Sequence, residues 1–186
     1  MRLIILDRDG VINHDSDAFI KTPNEWVPIQ GSLEAIARLN QHGYRVAIAT
    51  NQSGIARRLL DIDTLNAIHA QLHQRLEQLG GQIDAVFFCP HGPDDRCNCR
   101  KPGIGMLQQI RSRFGTELIA VPMVGDSLRD IQAYRRVGGR AILVKTGKGA
   151  ATLAEQANSL YQVNIFDDLA AVVDWLLRRI NPERAP

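Results

Sequence analysis

Leu3-Ile4-Ile5-Leu6-Asp7-Arg8-Asp9-Gly10 is the stretch that decides the fold. Four apolar residues run without alternation into two acids, two positions apart, and then a glycine. A short run that is apolar on both faces suits a parallel strand covered by helices on its two sides. The same kind of run returns at 46–49, 86–88, 121–124 and 141–144. Between these runs the apolar spacing changes to threes and fours. Leu65, Ile68, Leu72, Leu76 and Leu79 form one such stripe; Leu107, Ile110 and Phe114 a second; Leu169, Val172, Leu176 and Ile180 a third. Each is one face of a helix. Ser32 reads as an N-cap with Gly43 as the matching stop, and Asp167 as the cap of the last helix. Strands alternating with helices predict an α/β fold, an open parallel sheet with helices on both faces. With 186 residues and no repeat, linker or low-complexity tract, residues 1–186 read as a single domain.

Composition narrows the classes of function. Apolar residues make up 45% and charged residues 23%, a globular balance that excludes disorder and collagen-like repeats. A net charge of +2, with arginine pairs scattered along the chain, argues against a nucleic-acid partner. No apolar run approaches the ~18–20 residues of a membrane span, so no membrane partner is expected. Leu3-Ile4-Ile5-Leu6 is too short for the core of an export signal, and the expected location is the cytoplasm. The expected oligomeric state is a monomer.

In open α/β sheets ligands bind beyond the carboxyl ends of the strands. The first strand ends in Asp7-Arg8-Asp9-Gly10 and the second in Thr50-Asn51-Gln52-Ser53-Gly54. The third leads through a cysteine-rich loop to Arg100-Lys101-Pro102, and the fourth ends in Gly125-Asp126-Ser127-Leu128-Arg129-Asp130. Four strand ends thus bring carboxylates, a hydroxyl and an ammonium to one edge. Asp7, Asp9 and Asp126 would repel one another unless a hard cation sat among them, and Mg2+ suits a few carboxylates plus phosphate. Thr50 and Lys101 suit phosphoryl oxygens, and a carboxylate can serve as the nucleophile of phosphoryl transfer. No G-x-x-x-x-G-K-[ST] is present, so the nucleotide-binding P-loop is excluded. The same ends nominate Arg8, Asn51, Gln52, Ser53, Arg100 and Ser127 as substrate contacts, Arg100 gripping beyond the transferred group. The polar stretch 13–30 reads as a substrate lid, with Asp15, Ser16, Asp17 and Ala18 beside the ligand, or equally as a surface excursion.

Cys89, Cys97 and Cys99, with His91, form a Cys3His set around the five residues Gly92-Pro93-Asp94-Asp95-Arg96. Four closed ligands suit tetrahedral Zn2+, and the loop between them has almost nothing apolar to bury cysteines with. A structural Zn2+ in a small loop at 89–99 is therefore expected, fixing Lys101 just beyond it. Other features read plainly. His69 and His73 lack the glutamate of H-E-x-x-H and read as a solvated helix face. Gly147-Lys148-Gly149 reads as a plain turn, and Arg57-Arg58 as a charge pair outside the site.

Asp7-Arg8-Asp9-Gly10-Val11, Thr50, Lys101 and Gly125-Asp126-x-x-x-Asp130 resemble, in order, the four motifs of the haloacid dehalogenase (HAD) superfamily of phosphatases. The motifs span residues 7–130. The resemblance implies Asp7 as nucleophile and Asp9 as general acid and then base. It places Thr50 and Lys101 on the phosphate, and Mg2+ on Asp7, the Asp9 main-chain carbonyl and Asp126, with Asp130 behind them. The stretch from Thr50 to Arg57, with the cysteine loop running to Pro102, resembles a narrower branch that acts on heptose bisphosphates and, in relatives sharing the zinc loop, on histidinol phosphate. The branch implies a small phosphorylated sugar as substrate, on the route to lipopolysaccharide or related surface sugars; which anomer stays open. The motif spacings leave no room for a separate cap domain. A nucleic-acid 3′-phosphatase and an inactive zinc-binding module are the readings from other classes. The weak net charge speaks against the first and the complete motif set against the second.

Overall fold

The structure, a computed structural model, describes residues 1–180. Six parallel strands form one sheet: β1 (Arg2–Leu6), β2 (Tyr44–Asn51), β3 (Ala85–Cys89), β4 (Pro122–Gly125), β5 (Arg140–Val144) and β6 (Asn164–Phe166). Their order across the sheet is β3-β2-β1-β4-β5-β6. Alternation within the strands divides the core into two layers. Ile4, Leu6, Val46, Ile48, Val124, Ile142 and Val144 face one side. There they meet α1 (Ser32–Gln41), α2 (Ile62–Gln78) and α6 (Leu169–Ile180). Leu3, Ile5, Ala47, Ala49, Met123, Ala141 and Leu143 face the other side. There they meet α3 (Gly105–Phe114) and α4 (Leu128–Arg136). The strands are apolar on both faces because both faces are covered.

After β1 the chain builds outward through β2 and β3, then returns to place β4 on the other side of β1. The crevice of such a sheet opens where the winding reverses, here between β1 and β4. Among the described residues, the segments between the motifs hold single helices, loops and one 3-10 turn at Pro23–Glu25, with no separate cap domain.

Several local expectations change. Ser32 lies inside α1; the cap is Gly31 at φ 78°, and the Ser32 hydroxyl donates to Ile12 O at 2.6 Å. Gly43, in the left-handed region at φ 77°, does follow the end of that helix. The last helix is capped by Asp168, whose Oδ1 accepts the Ala171 N–H at 2.8 Å, while Asp167 faces Lys145 instead. Three elements lie outside the sequence pattern: β6 has only three residues, α4 shows few apolar positions, and α5 (Gly149–Gln156) is built from small ones. The stretch 13–30 is anchored rather than loose. Ile20, Trp26 and Ile29 are buried, and His14 N–H and Ile29 N–H donate to Val27 O and Ile12 O, both at 2.9 Å. Its middle, 15–20, arches over the crevice.

Candidate active site

Asp7 leaves the end of β1 with its Oδ1 accepting the Arg8 N–H at 2.8 Å and facing Lys101 Nζ at 3.0 Å. The ammonium also lies 2.5 Å from Asp130 Oδ1 and donates to Ala49 O at 2.7 Å. Lys101 is only 2% exposed, so it is a buried fixed charge. Burial alone would lower its pKa, but Asp130 and then Asp7 outweigh that and raise it. Its main chain is held as firmly as its tip: Asn51 Nδ2 donates to Lys101 O at 3.1 Å and Asn51 Oδ1 accepts Lys101 N–H at 3.0 Å. Asp130 closes the arrangement from the first turn of α4, where its Oδ2 accepts from Ser127 N–H and Oγ–H at 3.0 and 2.5 Å.

Asp126, after β4, is fixed by Lys148 N–H donating to its Oδ2 at 2.8 Å. Two glycines let the backbone come this close. A Cβ on Gly10 or Gly147, both at positive φ, would stand 2.0 or 2.2 Å from that oxygen. Carboxylate oxygens of Asp7, Asp126 and Asp130 lie within 4.8 Å of one another. Burial, with the neighbouring carboxylates and against Lys101, pushes Asp7 up to about 7; burial together with Asp130 and Asp7 pushes Asp126 up to about 8. Carboxylates that resist ionising together are a donor set made for a divalent cation. Asp130 spends both oxygens on Lys101 and Ser127. Among the described residues no hydrogen-bond donor reaches Asp7 Oδ2 or Asp126 Oδ1, so those two face the gap.

Asp9 is held by a separate set of donors. Arg8 Nε and Nη2 donate to its Oδ1 at 3.0 and 2.9 Å, and Nη2 to its Oδ2 at 3.0 Å. Asn13 Nδ2 donates to Oδ1 at 2.9 Å and Gln52 Nε2 to Oδ2 at 2.8 Å. Burial would raise its pKa; Arg8 and the bonds from Asn13 and Gln52 overcome that and hold it below the usual carboxylate range. Gln52 Nε2 also donates to Thr50 Oγ1 at 2.9 Å, which leaves the Thr50 hydroxyl proton free for a ligand. The Arg8 guanidinium is 1% exposed and meets His69 Nε2 at 3.3 Å through Nη1. His69 is therefore buried rather than solvated. Arg8 turns to Asp9 and α2, away from where a substrate would lie.

The cavity above these groups is lined by Asp7, Asp9, Thr50, Asn51, Gln52, Ser53, Lys101, Asp126 and Ser127 at its base. Asp15, Ser16, Asp17 and Arg100 stand around it. Arg8 and Ala18, both nominated as contacts, do not line it. Phe19, Ile20, Arg129 and Lys148 line it without having been nominated, and Asp130, expected behind the metal ligands, lines it as well. Lys148 is the notable addition, since Gly147-Lys148-Gly149 is no plain turn. Its ammonium reaches Asp15 at 3.2 Å and Asp17 at 3.7 Å, spanning the mouth. The signal was present, because 147–149 follows the carboxyl end of β5 just as the other motifs follow theirs. Arg57 stays outside and stacks on Phe19, 5.4 Å from the ring centroid.

Beside this edge Cys89, His91, Cys97 and Cys99 converge, with ligand atoms within 4.8 Å of one another. Cys89 Sγ lies 3.8 Å from Cys97 Sγ, 3.5 Å from His91 Nδ1 and 3.1 Å from Cys99 Sγ. Ligands at ~2.1–2.3 Å around tetrahedral zinc stand about 3.5–3.8 Å apart, so the first two spacings already fit and the third is tighter. Burial and hydrogen bonds shared with Cys99 push the Cys89 thiol up to about 12, a cost that a bound cation would remove. The loop closes directly onto the catalytic edge: Arg100 Nη1 donates to His91 O at 3.2 Å, and Gly105 N–H to Asn98 O at 2.9 Å.

Comparison with known proteins adds to this geometry. Residues 98–172 match the HAD-hydrolase-like family model, and residues 2–132 match that of polynucleotide kinase 3 phosphatase. A D-glycero-beta-D-manno-heptose-1,7-bisphosphate 7-phosphatase from Bordetella bronchiseptica is 56% identical over 178 residues, covering 96% of this chain and 99% of that protein. The enzyme of that name from Pseudomonas aeruginosa is 53% identical over 176 residues, 95% of this chain and 98% of the relative. The crystal structure of D,D-heptose 1,7-bisphosphate phosphatase from B. bronchiseptica, complexed with magnesium and phosphate, superposes with a TM-score of 0.94 at 55% identity, covering 96% of this chain and 99% of that one. Among the described residues no helix is long and apolar enough to cross a membrane.

Proposed function

The chain belongs to the HAD-like family of D-glycero-beta-D-manno-heptose-1,7-bisphosphate 7-phosphatases, and on that premise we propose how its own residues remove the 7-phosphate. The chain is a phosphomonoester hydrolase acting on a small phosphorylated sugar. The observation that carries the substrate is identity of 56% along 99% of a relative bearing that name. Those names favour heptose bisphosphate over histidinol phosphate, and over the nucleic-acid end suggested by the second family model.

Asp7 attacks phosphorus. Its bond to phosphorus forms as the bond from phosphorus to the sugar oxygen breaks, and Asp9 gives that oxygen its proton. Water then attacks the aspartyl-phosphate, Asp9 takes the water's proton, and inorganic phosphate leaves. Held below the usual range, Asp9 rests as the carboxylate that the second step needs. The arriving phosphate dianion beside it favours uptake of a proton from water, which gives the acid that the first step needs. Lys101 neutralises phosphoryl oxygens from a fixed position, because Asn51 and Asp130 allow it no other. Thr50 donates its free hydroxyl proton to the same group.

Mg2+ fits Asp7, Asp126 and the Asp9 main-chain carbonyl, and when bound it supplies positive charge against the carboxylates and phosphate. Zn2+ fits Cys89, His91, Cys97 and Cys99, a closed set whose part is to order the loop carrying Arg100 and Lys101. Arg100, Arg129 and Lys148 give the rim a positive charge for the far phosphate of the sugar. Three cysteines gathered into a metal-ligand set rather than paired in disulfides suit the cytoplasm, and a cavity lined by residues of one chain suits a monomer.

The test offers purified protein with Mg2+ three substrates: heptose 1,7-bisphosphate, histidinol phosphate and a 3′-phosphorylated oligonucleotide. Phosphorus NMR follows which ester disappears. Loss of the 7-phosphate alone is expected; faster turnover of either other substrate overturns the assignment.

A further inference from the structure

One of the buried polar residues behind the cavity lies on α2 and takes part in no step above. His69 lies 61 positions from Arg8 along the chain, and its imidazole is buried behind the β1 loop. The contact between them fixes the chemistry of both. Arg8 Nη1 has only protons to offer, so the His69 Nε2 it meets at 3.3 Å is the acceptor. The imidazole is then neutral, with its proton on Nδ1. Burial first and the Arg8 charge second push its pKa in the same direction, down to about 4.

Arg8 in turn places its Nε and Nη2 on both oxygens of Asp9. A guanidinium is planar, so anchoring Nη1 at one end sets the plane in which the other two nitrogens hold the carboxylate. Arg8 does not line the cavity, and neither does His69. Neither can touch substrate. Asp9 does line it.

We propose that His69 is a positioning residue: its neutral Nε2 anchors the buried Arg8 guanidinium, and through it fixes the direction in which Asp9 presents its carboxyl group to the leaving oxygen. This rests on Asp9 acting as the proton donor. Losing the anchor leaves a buried N–H unpaired and lets the guanidinium and Asp9 rotate together. Asn13 and Gln52 still hold Asp9, so the loss is partial. Proton transfer to a poor leaving group suffers most, because a good leaving group departs without it.

The experiment compares His69→Leu, which removes the acceptor, with His69→Gln, which returns an amide oxygen. The first-turnover release of alcohol is measured on the heptose bisphosphate and on p-nitrophenyl phosphate, with thermal melting of each variant alongside. For His69→Leu the rate on the sugar phosphate is expected to fall roughly 10- to 100-fold with little change in KM, the scale of a misplaced catalytic group. On p-nitrophenyl phosphate the fall is expected to stay under about 3-fold, and His69→Gln to recover most of the loss. His69→Met replaces the leucine variant if that one does not fold. Equal losses on both substrates, or no recovery with glutamine, would mean that His69 only packs α2 and overturn the proposal. Asp9→Asn, run in parallel, separates the two levels. If it shows the leaving-group dependence and His69→Leu does not, the positioning role alone is wrong; if Asp9→Asn lacks it as well, the proton-donor reading fails first.

Discussion

Asp130→Asn tests whether the buried charges around Lys101 are arranged as described. The carboxylate serves two sets of donors: its Oδ1 lies 2.5 Å from the Lys101 ammonium, and its Oδ2 accepts from Ser127 N–H at 3.0 Å. An amide of the same shape has one acceptor and one donor end. Whichever way it turns, its NH2 meets either the ammonium or the Ser127 N–H, so one clash is unavoidable. The side chains of Lys101 and Asp130 are 2% and 1% exposed, and water cannot fill in for the lost partner. Removing one member of such a pair costs about 3–5 kcal/mol when the other charge is left alone; here Asp7 stays 3.0 Å from Lys101 and loses a repelling neighbour, so about 1–3 kcal/mol is expected. For a chain of this length that is a fall in Tm of roughly 2–12 °C. Urea unfolding at neutral pH without added Mg2+ measures it directly. A loss below about 1 kcal/mol would show that Asp7 alone satisfies the Lys101 ammonium, and the part given to Asp130 in fixing that charge would be withdrawn.

Three further outcomes follow from the same geometry. Lys148→Met keeps the N–H on Asp126 but frees Asp15 and Asp17; KM for the bisphosphate should rise on the order of 2- to 5-fold with p-nitrophenyl phosphate unaffected, and equal changes on both would contradict the rim reading. Cys97→Ser should lower zinc from about one per chain and slow turnover, while Mg2+ affinity, titrated through activity, stays similar; a fully active zinc-free preparation would argue against a structural ion. His69 is held to about 4, below its ordinary 6.5, so the unfolded chain binds the extra proton between those values. Stability should therefore fall as pH drops from 6.5 towards 4, by up to about 3 kcal/mol, and His69→Gln should lack that share in urea unfolding across the range.

The strands were legible because each needed both faces apolar, and five of the six announce themselves as unbroken hydrophobic runs. Asn164-Ile165-Phe166 could not, being too short to show a pattern. α4 was hidden for a different reason: its first turn is spent on the capping and ion-pairing of Asp130, leaving few positions for the core. The gathering of Asp7, Asp9, Thr50, Lys101 and Asp126 around one cavity was legible from one rule, that ligands lie beyond the strand ends. Lys148 obeys that rule and was passed over because its flanking glycines looked like a turn. Gly147 is there for the Asp126 carboxylate, and Gly149 for the Val144 main-chain carbonyl, which a Cβ would strike. His69 was misread although it follows Leu65 by four and precedes Leu72 by three, which puts it on the buried stripe of α2; the missing glutamate of H-E-x-x-H was weighed instead. Arg8 was assigned to substrate because it stands between two site residues, yet the chain bends there, with Ile12 N–H donating to Arg8 O at 2.8 Å, and its guanidinium comes to rest on Asp9 and on His69 of α2.

The central claim is that Asp7 carries the phosphoryl group. Rapid acid quench during the first turnover, followed by peptide mass spectrometry, reads this directly. The account predicts a transient phosphate on the peptide containing Asp7, formed at the rate of alcohol release and absent in Asp7→Asn. Turnover with no phosphorylated peptide, or with the phosphate on Thr50 or Asp126, would contradict it.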